Sequence, residues 1–126
     1  MKTSKLGDLE QQVMNIVWDV KSVSVRNVLN TLLPKRKLAY TTVATILERL
    51  YKKGLLKKKQ EGLSWIYTPK VSQESYSKNM ARSFIDNFFK SFGDNAIASF
   101  AETIETLPKE KKKYLLQLLD EHEKNK

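Results

Sequence analysis

Residues 39–54 read AYTTVATILERLYKKG, and the fold prediction starts from this stretch. Its apolar residues recur at the spacing of one helix face and predict a buried stripe of Val43, Ile46, Leu47 and Leu50. The opposite face carries Thr41, Thr42, Thr45, Arg49 and Lys52. Because Gly54 suits the left-handed position that often follows a helix, we predict a helix over about residues 40–53.

The polar face of this predicted helix has an order that suits a DNA groove. Short hydroxyl side chains come first and long cations follow. Short polar side chains let a backbone approach base edges, whereas Arg and Lys reach further, to bases or phosphates. Threonines on a helix face are often only solvated, but Arg36, Lys37 and Lys53 add positive charge around these ones. The pattern favours a helix that reads the major groove.

Two amphipathic stretches precede this helix. Apolar spacing predicts a first helix over about residues 8–20, and Asp8 with Gln11 resembles a capping box at its start. Ser24 is a good N-cap for a second helix, which Pro34 closes. Three helices in this order are typical of a helix-turn-helix head.

Two strand-like runs follow the third helix. Residues 55–60 and 64–68 have strand character, residues 61–63 form a plausible turn, and Pro69 ends the pair. A two-stranded ribbon is marginal alone, so we expect it to pack on the first and third helices. The predicted fold is mainly α with a small β wing, a winged helix-turn-helix over residues 1–70.

The positive charge is concentrated in this half of the chain. Residues 1–70 hold 14 Lys and Arg against 5 Asp and Glu, whereas residues 71–126 hold 9 against 9, so the first half carries the whole net charge of +9. This indicates a polyanionic partner. The lysines flank a turn and a wing rather than one long amphipathic helix, which disfavours a membrane surface. Lys57, Lys58 and Lys59 could also be a solvated edge strand.

The second half, residues 71–126, predicts a helical domain. Helices are expected over about residues 72–92 and 95–107, and a third from Pro108. Their apolar faces are broad, and we expect a second copy of the chain to cover them. The predicted dimer interface contains Phe84, Phe88, Ile97, Phe100, Ile104, Leu115 and Leu118.

Catalytic and metal chemistry are poorly supported. The chain has no Cys and a single His, His122, and its four glycines form no phosphate loop. We expect no enzyme activity, cofactor or metal site. We expect Trp18 and Trp65 to anchor the core and the wing rather than to stack on bases. Because no signal peptide follows Met1–Lys5 and no apolar run could span a bilayer, a soluble cytoplasmic protein is expected.

Particular segments resemble a known family. They are Leu6–Glu10 with Val13, Met14 and Trp18, then Val25–Val28, then Leu38–Leu50 running into Lys52–Leu55, and Tyr67–Pro69. The chain is similar in these segments to the penicillinase repressor family, over about residues 5–123. The stretch Ala39–Gly54 is the most specific part.

The resemblance implies a bacterial transcriptional repressor that binds a dyad-symmetric operator as a homodimer, controlling β-lactam resistance or related genes. Thr42 and Thr45 are then expected at bases, and Arg49, Lys52 and Lys57 at the backbone or at neighbouring bases. The full set of expected DNA contacts is Tyr40, Thr41, Thr42, Thr45, Arg49, Lys52, Lys57 and Lys59.

The resemblance also implies a sensor-protease system as partner. Family repressors of β-lactam resistance are cleaved at an Asn-Phe bond in the dimerisation region, and the matching pair here is Ser99-Phe100. The Asn is replaced, which departs from the family's cleavage pattern and puts β-lactams as the signal in question. Related copper-responsive repressors carry a Cys-x-Cys pair that this chain lacks. The alternatives are a general nucleic-acid- or RNA-binding winged helix, and an adaptor whose winged helix binds protein.

Overall fold

The computed structural model describes residues 6–125. Two parts of the chain lie outside that range. They are Lys126, and Met1–Lys5, after which the sequence predicts no signal peptide. Within that range the helices are α1 Asp8–Val20, α2 Val25–Leu32, α3 Tyr40–Lys52, α4 Gln73–Phe92, α5 Asp94–Glu105 and α6 Lys109–Lys124. The strands are β1 Leu56–Glu61 and β2 Ser64–Pro69. The predicted fold class, mainly α with a small wing, is confirmed. The chain forms two compact units, a head that ends at Ala81 and a helical unit that begins at Arg82.

The starts of α1 and α2 show which capping predictions hold. Gly7, not Asp8, is the N-cap of α1, and its N–H donates to the Glu10 carboxylate at 3.3 Å. The predicted pairing of Asp8 with Gln11 is therefore wrong by one residue, because Asp8 already has helical backbone. For α2 the prediction is confirmed, since Ser24 Oγ accepts from the Asn27 N–H at 3.1 Å.

The end of α3 turns the chain into the wing. The Gly54 N–H donates to the Tyr51 carbonyl at 3.0 Å and the Leu55 N–H to the Leu50 carbonyl at 3.0 Å, with Gly54 at φ 83°. This is a Schellman motif, which needs a left-handed residue and so explains the glycine. Because the Leu55 N–H closes the helix, β1 begins one residue later than the sequence suggests.

The wing is an antiparallel pair in which Leu56 faces Pro69 and Glu61 faces Ser64. Its turn is Gly62-Leu63, and the positive φ of 60° at Gly62 fits a type II′ hairpin turn. A contact that the sequence did not reveal extends it. Val23, between α1 and α2, exchanges two backbone hydrogen bonds with Tyr67, at 3.0 and 2.8 Å.

The core of the head fixes α3 and the wing in place. The wing packs as expected, β1 against α3 and β2 against α1. The predicted stripe of α3 is buried, and Tyr67 and Leu56 bring the wing into the same core. The core also takes in the start of α4, because the Trp18 indole N–H donates to the Val71 carbonyl at 3.0 Å and its ring lies 5.5 Å from that of Tyr76.

The helical unit is built differently. Gly93, with a φ of 59°, separates α4 from α5 as predicted. Phe84 and Phe88 stack at 5.8 Å between ring centroids, yet Phe84 stays 61% exposed. Among the described residues from 82 onward, Ala96 is the only buried apolar residue. No helix among the described residues is long and apolar enough to cross a membrane.

Candidate nucleic-acid interface

One side of α3 forms an exposed polar strip, which we call the reading face. It consists of Thr41, Thr42, Thr45, Arg49 and Lys52, and all five side chains are exposed. The apolar stripe on the other side of the helix is buried in the core of the head. Because packing holds α3 by that stripe, the reading face is presented on a rigid support.

The threonines of the reading face are not equivalent. Thr45 Oγ1 donates to the Thr41 carbonyl at 2.8 Å, one turn earlier on the helix. Its hydroxyl hydrogen is thereby occupied, and Thr45 can offer outward only an acceptor lone pair and a methyl group. A thymine methyl or a base amino group would suit that surface. Within residues 6–125 the Thr42 hydroxyl makes no hydrogen bond, so its hydrogen is available.

The start of α3 carries Tyr40, which is exposed along about half of its surface. The Arg26 guanidinium of α2 lies 5.1 Å from the centre of the Tyr40 ring. No described side chain caps this helix end, and the Thr42 N–H donates to the Ala39 carbonyl at 3.1 Å, so the N–H groups of Tyr40 and Thr41 stay available. Free N–H groups, a helix dipole and a nearby Arg together favour an anion such as phosphate.

The cations around the reading face fall into two classes. Lys53 pairs with Glu10 at 2.9 Å and Lys58 with Glu48 at 3.0 Å, so both are neutralised within the head. In the described part of the chain, no ion pair involves the candidate DNA contacts Arg49, Lys52, Lys57 and Lys59. These four cations, the second class, are therefore available to neutralise the charge of a binding partner.

Side chains alternate between the two faces of β1, which explains why Lys58 is paired with Glu48 while its neighbours Lys57 and Lys59 are not. Lys58 lies opposite Tyr67 in the wing and on the same side of the sheet, toward α3. Lys57 and Lys59 point to the other side and are exposed. The run of three lysines thus separates into two free cations and one that is turned inward.

The pKa shifts follow these contacts. The hydrogen bond from Lys53 lowers the pKa of the Glu10 carboxyl, and the hydrogen bond to Glu48 raises the pKa of the Lys58 ammonium. Burial raises the pKa of the Tyr67 phenol. All three groups keep at neutral pH the charge state that their contacts require.

Trp65, the predicted anchor of the wing, is not part of the buried core. It is 43% exposed, whereas Tyr67, two residues further along β2, is buried. The Trp65 ring lies 4.8 Å from Lys58 Nζ and covers that ammonium. Sequence reasoning missed Lys58, Glu48 and Tyr51 as a group, although the period of two in β1 already separates Lys58 from its neighbours.

Three shallow clefts follow one another along α3. The first lies between the start of α1 and the reading face, the second runs from Ala44 to Lys52, and the third continues from Lys52 to the base of the wing. Lys70, which the sequence reasoning did not single out, lines the third cleft with Lys57 and Lys58. The clefts share Thr45, Arg49 and Lys52, so they form one continuous strip.

Comparison with known proteins identifies the family. The model of the penicillinase repressor family matches residues 6–121, almost the whole described chain. This chain belongs to the penicillinase repressor family. The resemblance predicted over about residues 5–123 is thereby confirmed.

Individual relatives agree with this assignment. The penicillinase repressor of Bacillus licheniformis is 30% identical over 125 residues, which cover 99% of this chain and 97% of the relative. The solution structure of the DNA-binding domain of the repressor BlaI matches with a TM-score of 0.53 at 32% identity, covering 60% of this chain and 92% of that one. The Bacillus licheniformis BlaI monomer in complex with the blaP half-operator matches with a TM-score of 0.50, 32% identity and the same coverage.

The remaining candidate residues lie in the helical unit. Ser99 and Phe100 lie inside α5, where the Ser99 carbonyl accepts from Thr103 Oγ1 at 2.9 Å. The predicted interface residues fall into three helices: Phe84 and Phe88 in α4, Ile97, Phe100 and Ile104 in α5, and Leu115 and Leu118 in α6. Each is exposed or only partly buried within the single chain.

Proposed function

We propose that this DNA-binding transcriptional repressor occupies a dyad-symmetric operator as a homodimer, with the reading face of each subunit in a major groove. The observation that carries the proposal is the contrast between the two faces of α3. Its apolar stripe is buried in the head, and its other side exposes hydroxyls followed by unpaired cations. The BlaI monomer solved on a half-operator supports one head for each half-site.

The side chains of the reading face have distinct proposed roles. Thr42 and Thr45 contact base edges, because their short side chains lie where α3 approaches the groove most closely. Arg49, Lys52 and Lys57 hold phosphates or neighbouring bases. The remaining proposed contacts, Thr41, Tyr40 and Lys59, lie at the two ends of the same strip.

Self-association accounts for the exposed apolar side chains of the helical unit. An exposed patch this rich in aromatic and aliphatic residues is unfavourable in water and marks a surface that another protein surface buries. A second copy provides it through a two-fold interface, and a dimer also sets two heads on two half-sites. The proposed interface combines the Phe84-Phe88 stack of α4 with Ile97, Phe100 and Ile104 of α5 and with Leu115 and Leu118 of α6.

Release from DNA could use the pair Ser99-Phe100 only after α5 opens. A protease binds its substrate as an extended segment, and this bond lies in the middle of a helix. The family of this chain consists of repressors and is not a class of enzymes, and we assign the chain no catalytic task of its own. A repressor of bacterial promoters acts in the cytoplasm, and antibiotic-resistance genes are its candidate targets.

The first test is selection of fragmented genomic DNA by the purified protein at about physiological salt, followed by sequencing. We expect a few promoter fragments that share an inverted repeat. Retention without any enriched sequence would overturn the operator proposal and favour general nucleic-acid binding. A lack of retention at low salt as well would favour a winged helix that binds protein. The matched variant Thr45→Leu should recover the same mass of DNA with less enrichment.

A further inference from the structure

We infer that Lys58 does not contact DNA but acts as a positioning residue, which fastens the wing to α3 and neutralises the Glu48 carboxylate beside the reading face. This inference rests on the proposed operator binding for its functional consequence. Its structural part concerns the head alone and can be tested without DNA.

The Lys58 ammonium is enclosed on three sides. It lies 3.0 and 3.2 Å from the two carboxylate oxygens of Glu48, and it lies 4.5 Å from the centre of the Tyr51 ring and 4.8 Å from that of Trp65. The side chain is 21% exposed. Charged hydrogen bonds and ring faces together replace the water that an ammonium otherwise holds. A phosphate at this nitrogen would have to compete with these partners.

These contacts join three elements of the head, namely α3, β1 and β2. Glu48 and Tyr51 belong to α3, Lys58 to β1 and Trp65 to β2. The Tyr67 hydroxyl also lies 3.5 Å from Glu48 Oε2, at the long limit of a hydrogen bond. The wing is therefore held to α3 by a polar cluster in addition to the core contacts of Leu56 and Tyr67. We call Glu48, Tyr51, Lys58, Trp65 and Tyr67 the wing clasp.

Glu48 explains why a lysine is needed at this place. It lines the same cleft of α3 as Thr45, Arg49 and Lys52. An unpaired carboxylate there would repel the phosphates that the neighbouring cations attract, and it would compete for Arg49. The Glu48 side chain is 36% exposed, and the Lys58 ammonium neutralises its charge where it stands. The raised pKa of Lys58 agrees with this role, because the ammonium stays protonated over the range in which the protein would bind DNA.

The decisive experiment is a double-mutant cycle with Glu48→Gln, Lys58→Gln and both together, on a duplex recovered by the genomic selection and on a scrambled duplex of equal length. We expect Lys58→Gln alone to lower operator affinity by roughly tenfold, as typical coupling energies between contacting residues imply. In the Glu48→Gln background the same change should cost less than about twofold, because no carboxylate is left to expose. Lys58→Arg, which can keep the pair and the ring contacts, should restore most of the affinity.

Lys57→Gln is the matched control, because it removes the same charge from the neighbouring, outward position. It should lower the slope of log affinity against log salt by about one unit, whereas Lys58→Gln should change that slope far less. The inference is overturned if Lys58→Gln flattens the slope as much as Lys57→Gln and costs as much with Glu48→Gln as without it. Lys58 would then be a direct phosphate contact.

A readout without DNA separates this inference from the proposed function. In the NMR spectrum, the indole N–H of Trp65 should shift in Lys58→Gln and not in Lys57→Gln, while that of Trp18 reports that the head is folded. If wild-type protein fails to distinguish the two duplexes, operator binding is refuted but the Trp65 shift still tests the clasp. An unmoved Trp65 signal in folded Lys58→Gln would refute the clasp.

Discussion

The head and the helical unit differ in where they put their apolar side chains. The head buries Val13, Val17 and Leu47 completely, so that its core is closed within one chain. The helical unit leaves Phe84 61% and Ile97 58% exposed. The first pattern belongs to a module that folds alone, and the second to one whose stability depends on a partner. This difference is the basis for proposing that the head reads DNA and that the helical unit assembles the dimer.

The strongest test of a self-sufficient head is a cavity in its core. Leu50 of α3 is fully buried. Leu50→Ala should lower the free energy of unfolding by about 2–5 kcal/mol, because the core loses contacts and cannot collapse around the gap. Denaturation by urea, followed by circular dichroism, measures this loss. Leu116→Ala, at an exposed site of α6, should cost far less. Equal losses in the two variants would mean that the two units are not packed differently.

The next largest effect concerns assembly. Phe84→Asp should weaken self-association by roughly 10- to 100-fold, since anchors buried in an interface typically contribute more than 1 kcal/mol. It should leave the stability of the head almost unchanged, because Phe84 is exposed in the single chain. Sedimentation equilibrium over a range of concentrations gives the dissociation constant.

Asn79→Asp is the control for Phe84→Asp, since it adds the same charge to another side of α4. It should leave the dissociation constant within about twofold of the wild type, as surface changes usually do. A wild-type protein that remains monomeric at micromolar concentration would refute the dimer. An unchanged dimer in Phe84→Asp would instead move the interface away from the α4 stack.

Substitutions at the proposed DNA contacts of the head should have smaller and more selective effects, on DNA binding. Thr45→Leu removes the acceptor and adds bulk at a base edge, so it should reduce the preference for the operator over a scrambled duplex by roughly 10- to 100-fold. Binding to the scrambled duplex should change little. Lys57→Ala should weaken both duplexes alike and lower the salt slope by about one unit. Titration by fluorescence anisotropy measures both. If the two variants behave identically, the division between base and phosphate contacts is wrong.

Local sequence signals predicted most of this architecture because they depend on few residues. The apolar period fixed α1 and α3, Ser24 marked the start of α2, and Gly54 marked the end of α3. Each of these signals reports a backbone preference or a hydrogen bond within one turn. The strand bounds were displaced by a single residue at three ends: the Schellman motif shifts the start of β1, the two-residue turn shifts its end, and Pro69 extends β2 opposite Leu56.

The contacts between elements could not be predicted in the same way. The bridge between Val23 and Tyr67 joins residues far apart in the chain, and neither carries a local signal for it. Trp65 and Tyr67 lie on the same face of β2 and are both aromatic, and only packing decides that Tyr67 is the buried one. The partner of Lys58 depends on which residue of α3 lies above the wing. Register and packing, rather than composition, decide these positions.

The smallest effect tests how firmly the start of α1 is tied to the end of α3. The Glu10 carboxylate accepts from Lys53 at 2.9 Å, and this hydrogen bond lowers the pKa of Glu10. A carboxyl whose folded pKa lies below its unfolded pKa adds stability at neutral pH, and it loses that stability as the pH falls through the folded pKa. Because the pair is partly exposed, the contribution should be at most about 1 kcal/mol. Glu10→Gln should therefore be slightly less stable than wild type at pH 7 and equal to it in acid below the lowered pKa. Urea unfolding at a series of pH values measures the difference, and a gap that stays constant into acid would mean that packing of the Glu10 side chain, rather than its charge, ties α1 to α3.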